Sequence, residues 1–286
     1  MLIAVDALNR HLFQPLLDDM FRLRARVFGD RMGWQVKIEN GMEIDRFDRL
    51  DPAYLIGLDE DLNVISCARL LQTTGPHMLS DVFFDILDGE PPLRSANVWE
   101  STRFCVDTER LKRSNSQTTI SRTTCELMIG LFEFSKNAGI RDIVTVIDPV
   151  MNRVLKRSDN APYGYVGRTV PMGRVSAMAA LLDCTDERAQ RVRNFAGIQG
   201  DVFLSDDAAL ARLAARAVQV AADEVLPPTI SLDDLRTYFV EQLEAAKDEA
   251  ERRATERLIN HLADGLGSRE ETTHPAPRRA GKDHAA

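Results

Sequence analysis

The sequence has no apolar run approaching the roughly 18 residues that a membrane-spanning helix requires. Its opening residues, Met1 to Asp6, carry neither a basic n-region nor a sustained apolar stretch, so no secretory signal is expected and the chain is expected in the cytoplasm. Cysteine is scarce: Cys67, Cys105, Cys125 and Cys184 stand singly, without a Cys-x-x-Cys pair or a histidine spaced to complete a zinc set. Their small and apolar neighbours suit buried free thiols, and neither disulfides nor a metal site is expected. Basic charge is not in excess either. With 36 Lys and Arg against 44 Asp and Glu the formal net charge is −8, which argues against a dedicated nucleic-acid binder. Glycine is absent between Gly89 and Gly130, so no glycine-rich phosphate loop can lie there. What is present, 44% apolar and 28% charged residues over 286 positions, excludes a wholly disordered chain and suffices for one large domain with an appendage, or for two domains.

The distribution is uneven. Up to about residue 205 the chain reads as a compact α/β domain with a mixed sheet. Strands are expected at Leu2–Val5, Tyr54–Leu58, Val64–Leu71, Val98–Val106, Asp142–Ile147, Tyr165–Val170 and Arg174–Leu182. Helices are expected at His11–Phe28, from Ser116 to about Ala138, at Met151–Arg157 and at Asp186–Phe195. Residues 29–52 are polar and too long for a simple connector, and loops of that length are usually functional. Residues 206–286 hold 16 acidic and 11 basic residues and much Ala, Arg, Glu and Leu, a helical composition. Ser205 and Ser231 are candidate N-caps on either side of a Pro227-Pro228 break, so 206–266 reads as an αα-hairpin extension. Residues 267–286 have nothing to bury and read as a disordered tail.

The informative feature is where arginines and carboxylates fall in the first domain. Arg24, Arg26 and Arg31 lie beside Phe28 and Trp34, followed by Glu43, Asp45 and Asp48. Arg69 sits inside one apolar strand, and Glu100 and Arg103 inside another. A charge in the middle of such a strand is costly unless it is paired or faces a cleft. Glu100 and Arg103, three apart, point to opposite faces of a regular strand, so a bulge or a strand end must intervene if both serve one site.

The run Arg24-x-x-x-Phe28-x-x-x-x-x-Trp34, then Glu43-x-Asp45-x-x-Asp48, Arg69, Thr74-Gly75-Pro76-x-Met78-Leu79 and Trp99-Glu100-x-x-Arg103-Phe104 resembles the acyl-homoserine-lactone synthases, the LuxI-type autoinducer synthases of quorum sensing. It covers roughly residues 1–200, about 70% of the chain, and says nothing of the extension. The resemblance implies an acyltransferase fold like that of the Gcn5-type N-acetyltransferases (GNAT-like), with a V-shaped cleft between the strands at 98–106 and 142–147. It also implies the reaction: a fatty-acyl thioester acylates the amine of S-adenosylmethionine, the product closes to a lactone, and methylthioadenosine leaves. No separate cofactor is implied.

Under that resemblance Glu100 is the candidate general base, because an ammonium group cannot attack a thioester until it loses a proton. Arg24, Asp45, Asp48, Arg69 and Arg103 would form the charged floor and flap of the S-adenosylmethionine site. Phe28, Arg31, Trp34, Arg103 and Phe104 would bind that substrate, with aromatic faces towards its sulfonium. Backbone N–H groups near Phe104 would meet the thioester oxyanion. Thr145 and Ile147 would line the acyl pocket. An isoleucine where 3-oxo-acyl synthases often carry a second threonine argues against strong 3-oxo preference. Arg153, Lys156 and Arg157 fall where the family docks acyl carrier protein, while some relatives use acyl-coenzyme A. The C-terminal helices are a candidate homodimer interface. The main alternative is a GNAT-type N-acyltransferase that uses acyl-coenzyme A on another amine, against which the missing glycine-containing pyrophosphate loop counts.

Overall fold

The computed structural model describes residues 1–113, 121–173, 175–225, 232–257 and 259. Its strands are β1 Leu2–Val5, β2 Ile38–Glu39, β3 Met42–Glu43, β4 Ala53–Leu58, β5 Val64–Gln72, β6 Val98–Val106, β7 Asp142–Ile147, β8 Gly164–Met172 and β9 Val175–Asp183. Its helices are α1 Gln14–Arg24, α2 Met78–Asp81, α3 Thr108–Arg113, α4 Arg122–Asn137, α5 Pro149–Arg157, α6 Asp186–Ala196, α7 Asp206–Val225 and α8 Leu232–Ala245. Seven strands form one sheet in the order β1-β4-β5-β6-β7-β9-β8, while β2 and β3 form a small separate hairpin.

Alternation along the strands sets the two faces. Leu2, Leu55, Ala68 and Leu70 turn to the core under α4 and α6, whereas Ile3, Val5, Tyr54, Ile56 and Cys67 turn to the core under α1. Both faces are thus covered, which is why β4 and β5 are buried along nearly their whole length. Gly130 lets α4 lie close on β1, for a Cβ there would stand 2.2 Å from Leu2 Cδ1.

The sheet is antiparallel throughout except between β6 and β7. That parallel pair is short: it runs from Val98 opposite Asp142 to Ser101 opposite Thr145, and beyond it the strands part. This is the V-shaped opening expected between them.

Several expectations are corrected in detail. The helix expected from His11 to Phe28 is three pieces: a 3-10 turn at Arg10–Leu12, then α1, then a π-helix at Ala25–Arg31. Pro15 sits in the first turn of α1, where its missing N–H costs nothing. Helix α4 starts after Ser121, whose hydroxyl accepts from Thr124 N–H, and not at Ser116, which lies outside the described residues. Ser205 does cap α7, accepting from Ala208 N–H at 3.3 Å.

The compact unit runs from Met1 to Arg216, beyond residue 205, because Ala209, Leu210 and Leu213 pack into the core beneath α1. A second unit takes in Ala217–Ala286, with α8 and a helical stretch at 249–257. The Pro227-Pro228 break, Ser231 and the tail 267–286 lie outside the described residues. Among the described residues no helix is long and apolar enough to cross a membrane.

Candidate active site

The bulge that Glu100 and Arg103 require is present. Cys67 pairs with Cys105 and Arg69 with Thr102, so Arg103 and Phe104 together oppose Ala68 alone. Arg103 adopts φ +53°, a left-handed conformation that costs a side-chain-bearing residue roughly 1–2 kcal/mol. The extra residue resets the alternation. Arg103 is thereby brought to the α1 face, which Cys105 shares, and Phe104 packs towards α4.

On that face six charged side chains close into a ring. Arg24 Nε donates to Glu43 at 2.6 Å, and its terminal nitrogens donate to the two Asp48 oxygens at 2.8 and 2.9 Å. Arg69 Nη1 donates to Asp48 at 2.7 Å and to Asp45 at 2.6 Å. Arg103 Nη2 donates to Glu43 at 2.8 Å and to Asp45 at 2.9 Å. Each arginine meets two carboxylates and each carboxylate two arginines, so the ring carries no net charge. Charges taken out of water are tolerated only with such pairing.

Local structure places each member. Arg24 ends α1, Glu43 ends the β2–β3 hairpin, and Arg69 sits opposite Tyr54 in the sheet. Asp45 and Asp48, three apart, cap the Arg46–Arg49 turn reciprocally: Asp45 accepts from Phe47 N–H and Asp48 from Asp45 N–H. The Tyr54 hydroxyl donates to Asp48 at 2.7 Å. Burial alone would raise the pKa of Asp48, but Arg24 and Arg69 outweigh it and hold the carboxyl well below its ordinary range. Burial alone would lower the pKa values of Arg24 and Arg69, and their carboxylate partners raise both instead.

Glu100 stands apart from the ring. It is fully buried, and its two oxygens accept from the N–H groups of Met78, at 2.6 Å, and Leu79, at 2.7 Å, at the start of α2. Burial pushes its pKa up to about 7 against the pull of those two N–H groups and of Arg69. A carboxyl of that affinity exchanges its proton near neutral pH, as a general base must. Met78, fixed by Glu100, offers its sulfur to Arg69 at 3.3 Å and to Arg103 at 3.5 Å, linking the buried carboxyl to the ring.

A cavity of about 580 Å³ occupies the gap where β6 and β7 part. On the α1 side its wall holds Phe28, Arg31, Trp34, Met78, Phe83 and Arg103; on the other it holds Met128, Leu131 and Phe132 of α4, Met151, Val154 and Leu155 of α5, and Leu182. Thr102, Phe104, Thr145 and Ile147 line the passage between. The cavity therefore crosses the sheet, with an aromatic and cationic half on one face and an apolar half on the other.

The π-helix makes the first half. Its wider turn lets Met32 N–H reach Val27 O, and Trp34 folds back to stack on Phe28, ring centres 5.1 Å apart. The Arg103 guanidinium lies over the Phe28 ring at 5.4 Å. Arg31 is tied to Val106 O and to the Thr108 hydroxyl.

Of the residues expected at the site, Phe28, Arg31, Trp34, Arg103, Phe104, Thr145 and Ile147 line the cavity. Arg24, Asp45, Asp48 and Arg69 lie behind it, in the ring, and Glu100 lies behind Ser101 and Met78. Arg103 is the one ring member on the wall. Arg153, Lys156 and Arg157 are exposed on α5 and form no ion pair among the described residues. All four cysteines are buried and free, and no group of three or more His, Cys, Asp or Glu able to hold a metal ion occurs among the described residues.

Glu43, Met78 and Tyr54 also build the site, without a role expected from the sequence. Glu43 was detectable as the acidic residue of Glu43-x-Asp45-x-x-Asp48 without an expected role. Nothing in the spacing marks Tyr54.

A mixed sheet whose parallel pair β6–β7 splays around a cavity is the architecture expected of the autoinducer synthases. The family model for autoinducer synthases matches residues 9–192, and the chain belongs to that family. A probable acyl-homoserine-lactone synthase from Sinorhizobium fredii is 36% identical over 178 residues, 62% of this chain and 85% of the relative. The structure of the CoA-dependent acyl-homoserine lactone synthase MesI superposes with a TM-score of 0.61 at 27% identity, covering 72% of this chain and 100% of that one. That of BjaI, another CoA-dependent acyl-homoserine lactone synthase, bound to S-adenosylmethionine and isopentyl-CoA, gives 0.61 at 25% identity over 75% of this chain and 99% of that one.

Proposed function

We propose that this chain is an acyl-homoserine-lactone synthase that transfers an acyl group from a thioester to the amine of S-adenosylmethionine and makes a quorum-sensing signal. The observation that carries the reading is the cavity that crosses the sheet. Its two unlike halves suit two unlike substrates, a sulfonium amino acid against Phe28 and Trp34, and an acyl chain between α4, α5 and the sheet. The reacting atoms then meet in the passage at Phe104 and Thr145.

The substrate amine gives up its proton and attacks the thioester carbonyl. Glu100 is the proton acceptor in this proposal; since its oxygens are turned to Met78 and Leu79, the proton reaches it through an intervening water or hydroxyl. Past Ser101 the β6 edge is no longer paired with β7, and N–H groups near Phe104 would meet the oxyanion. Collapse of the adduct expels the thiol. The substrate carboxylate then attacks the carbon bearing the sulfonium, the carbon–sulfur bond breaks, and methylthioadenosine leaves with the bonding electrons. That second step is intramolecular and needs chiefly a held, folded conformer. Arg103, whose Nη1 meets only the Met78 sulfur, is the arginine placed to steer the carboxylate, while Glu43 and Asp45, which it shares with Arg24 and Arg69, hold it in position.

The test is thiol release by purified protein. It should require both an acyl thioester and S-adenosylmethionine, and lysine peptides should not replace the latter. Release with lysine peptides and none with S-adenosylmethionine would favour the GNAT-type alternative.

For the donor, the exposed Arg153, Lys156 and Arg157 suit an acidic carrier protein. Arg153→Glu combined with Arg157→Glu should raise KM for carrier-protein thioesters about tenfold at low salt and leave coenzyme A thioesters unchanged, since rim charges act mainly on association. Equal effects on both donors would remove this docking assignment.

A further inference from the structure

Two of the four cysteines meet across the sheet. Cys67 of β5 pairs with Cys105 of β6, and their sulfurs stand 3.5 Å apart. Opposed residues of an antiparallel pair have Cα atoms about 4.5–5.5 Å apart, within the span that a disulfide accepts. The sulfurs need to close by only about 1.5 Å to reach the bonding distance of about 2.0 Å. Both residues belong to the core on the α1 face, whereas Cys125 and Cys184 belong to the core on the other face and cannot stand in for either.

The pair flanks the bulge that sets Arg103 and Phe104. Register is kept at Cys67 opposite Cys105, is broken by the extra residue, and resumes at Arg69 opposite Thr102. The Cys67 sulfur also meets Arg103 O at 3.6 Å, and since a carbonyl only accepts, the thiol is the donor. Cys105 lines the cavity, as Val27 and Phe28 do, and keeps 4% of its surface exposed, whereas Cys67 is fully enclosed. The route from the cavity to Cys67 therefore runs through Cys105.

We propose that Cys67 and Cys105 are a modification site, a dithiol that a peroxide entering the cavity converts to a reversible disulfide, and that this bond slows the reaction at the neighbouring bulge. The peroxide O–O bond breaks as one oxygen passes to the Cys105 sulfur, giving a sulfenic acid and a first water. The Cys67 sulfur then attacks the Cys105 sulfur, the S–S bond forms, the S–O bond breaks, and the hydroxyl leaves with the Cys67 proton as a second water. The two sulfurs together lose two electrons and the peroxide gains them. Without its proton Cys67 no longer donates to Arg103 O, and closing the sulfurs draws β5 and β6 together beside Arg103 and Phe104. The bond itself does not depend on the synthase reading; its effect on lactone formation does.

The experiment exposes the purified protein to hydrogen peroxide, then denatures and alkylates it and reads its mass and its proteolytic peptides. Two of the four free thiols should disappear, the mass should fall by two hydrogens, and the bridged peptides should be those of Cys67 and Cys105. Lactone formation should drop at least about tenfold and return with dithiothreitol, since a displacement of about 1 Å at a reacting site can cost that much. Cys67→Ser should form no bridge. Cys105→Ser should form none either and should keep its own untreated rate after peroxide. Should Cys105→Ser fail to fold, the thiol count and peptide map of the unmutated protein still decide. Four free thiols after peroxide, a bridge between other cysteines, or a bridge that leaves lactone formation unchanged would overturn the proposal. Protein that forms the bridge yet makes no lactone before treatment or after reduction would overturn the synthase reading and leave the disulfide standing.

Discussion

Asp48→Asn is expected to lower the melting temperature by on the order of 10 °C. Asp48 accepts from Arg24 twice and from Arg69, Tyr54 and the Asp45 N–H, all within 2.9 Å. The amide keeps the shape but removes one negative charge, leaving three buried arginines to share two carboxylates. Breaking one partner of a buried pair costs about 3–5 kcal/mol, and a unit of this size loses roughly 2–4 °C per kcal/mol. The cost also has a pH signature. Because the Asp48 pKa is depressed in the fold, its contribution is present above the ordinary carboxyl range and is lost as pH falls through and below it. The unmutated protein should therefore lose stability in acid with a component that Asp48→Asn does not share. Thermal melts from pH 7 down to pH 3 check both; equal melting temperatures at pH 7 would show that the ring does not hold the fold.

Glu100→Gln is expected to lower turnover roughly 100-fold or more while the chain stays folded. Proton acceptance requires ionised Glu100, so the rate should rise with pH and level off above about 7. The variant's residual rate should show no inflection there. Stability runs the other way. A carboxyl whose pKa is raised in the fold contributes most when protonated, below its ordinary 4.5, and that contribution fades as pH rises through about 7. Glutamine can accept from only one of the Met78 and Leu79 N–H groups, so some loosening of α2 is expected. A purely positioning role would instead raise KM for S-adenosylmethionine and preserve the pH inflection, which would exclude Glu100 as the base.

Much of this site was legible in the sequence because buried charge is expensive. Arg69 and Glu100 in apolar strands demanded partners, and the three-residue spacing of Glu100 and Arg103 demanded the bulge that β6 contains. The bounds of β6 and β7 and the opening between them followed from β-branched runs and the family resemblance. What was not legible depends on contacts between distant segments. That the charges close into a ring requires Glu43 to meet Arg24 and Arg103 at once, across 19 and 60 residues of chain. The π-helix arises within a sequence whose three- and four-residue spacing fits an ordinary helix, and tertiary packing of Phe28 and Trp34 selects the wider turn. The first turns of α7 show the same periodicity as the rest of that helix, so nothing in the pattern reveals that Leu210 and Leu213 belong to the main core.

The central claim is that one cavity joins acyl transfer to lactone closure. Mass spectrometry of the products made by purified protein from S-adenosylmethionine and acyl thioesters tests it most directly. The account predicts N-acyl-homoserine lactone and methylthioadenosine in equal amounts, with free thiol matching both. Acylated amine without methylthioadenosine, or acyl transfer to other amines with S-adenosylmethionine left intact, would contradict it.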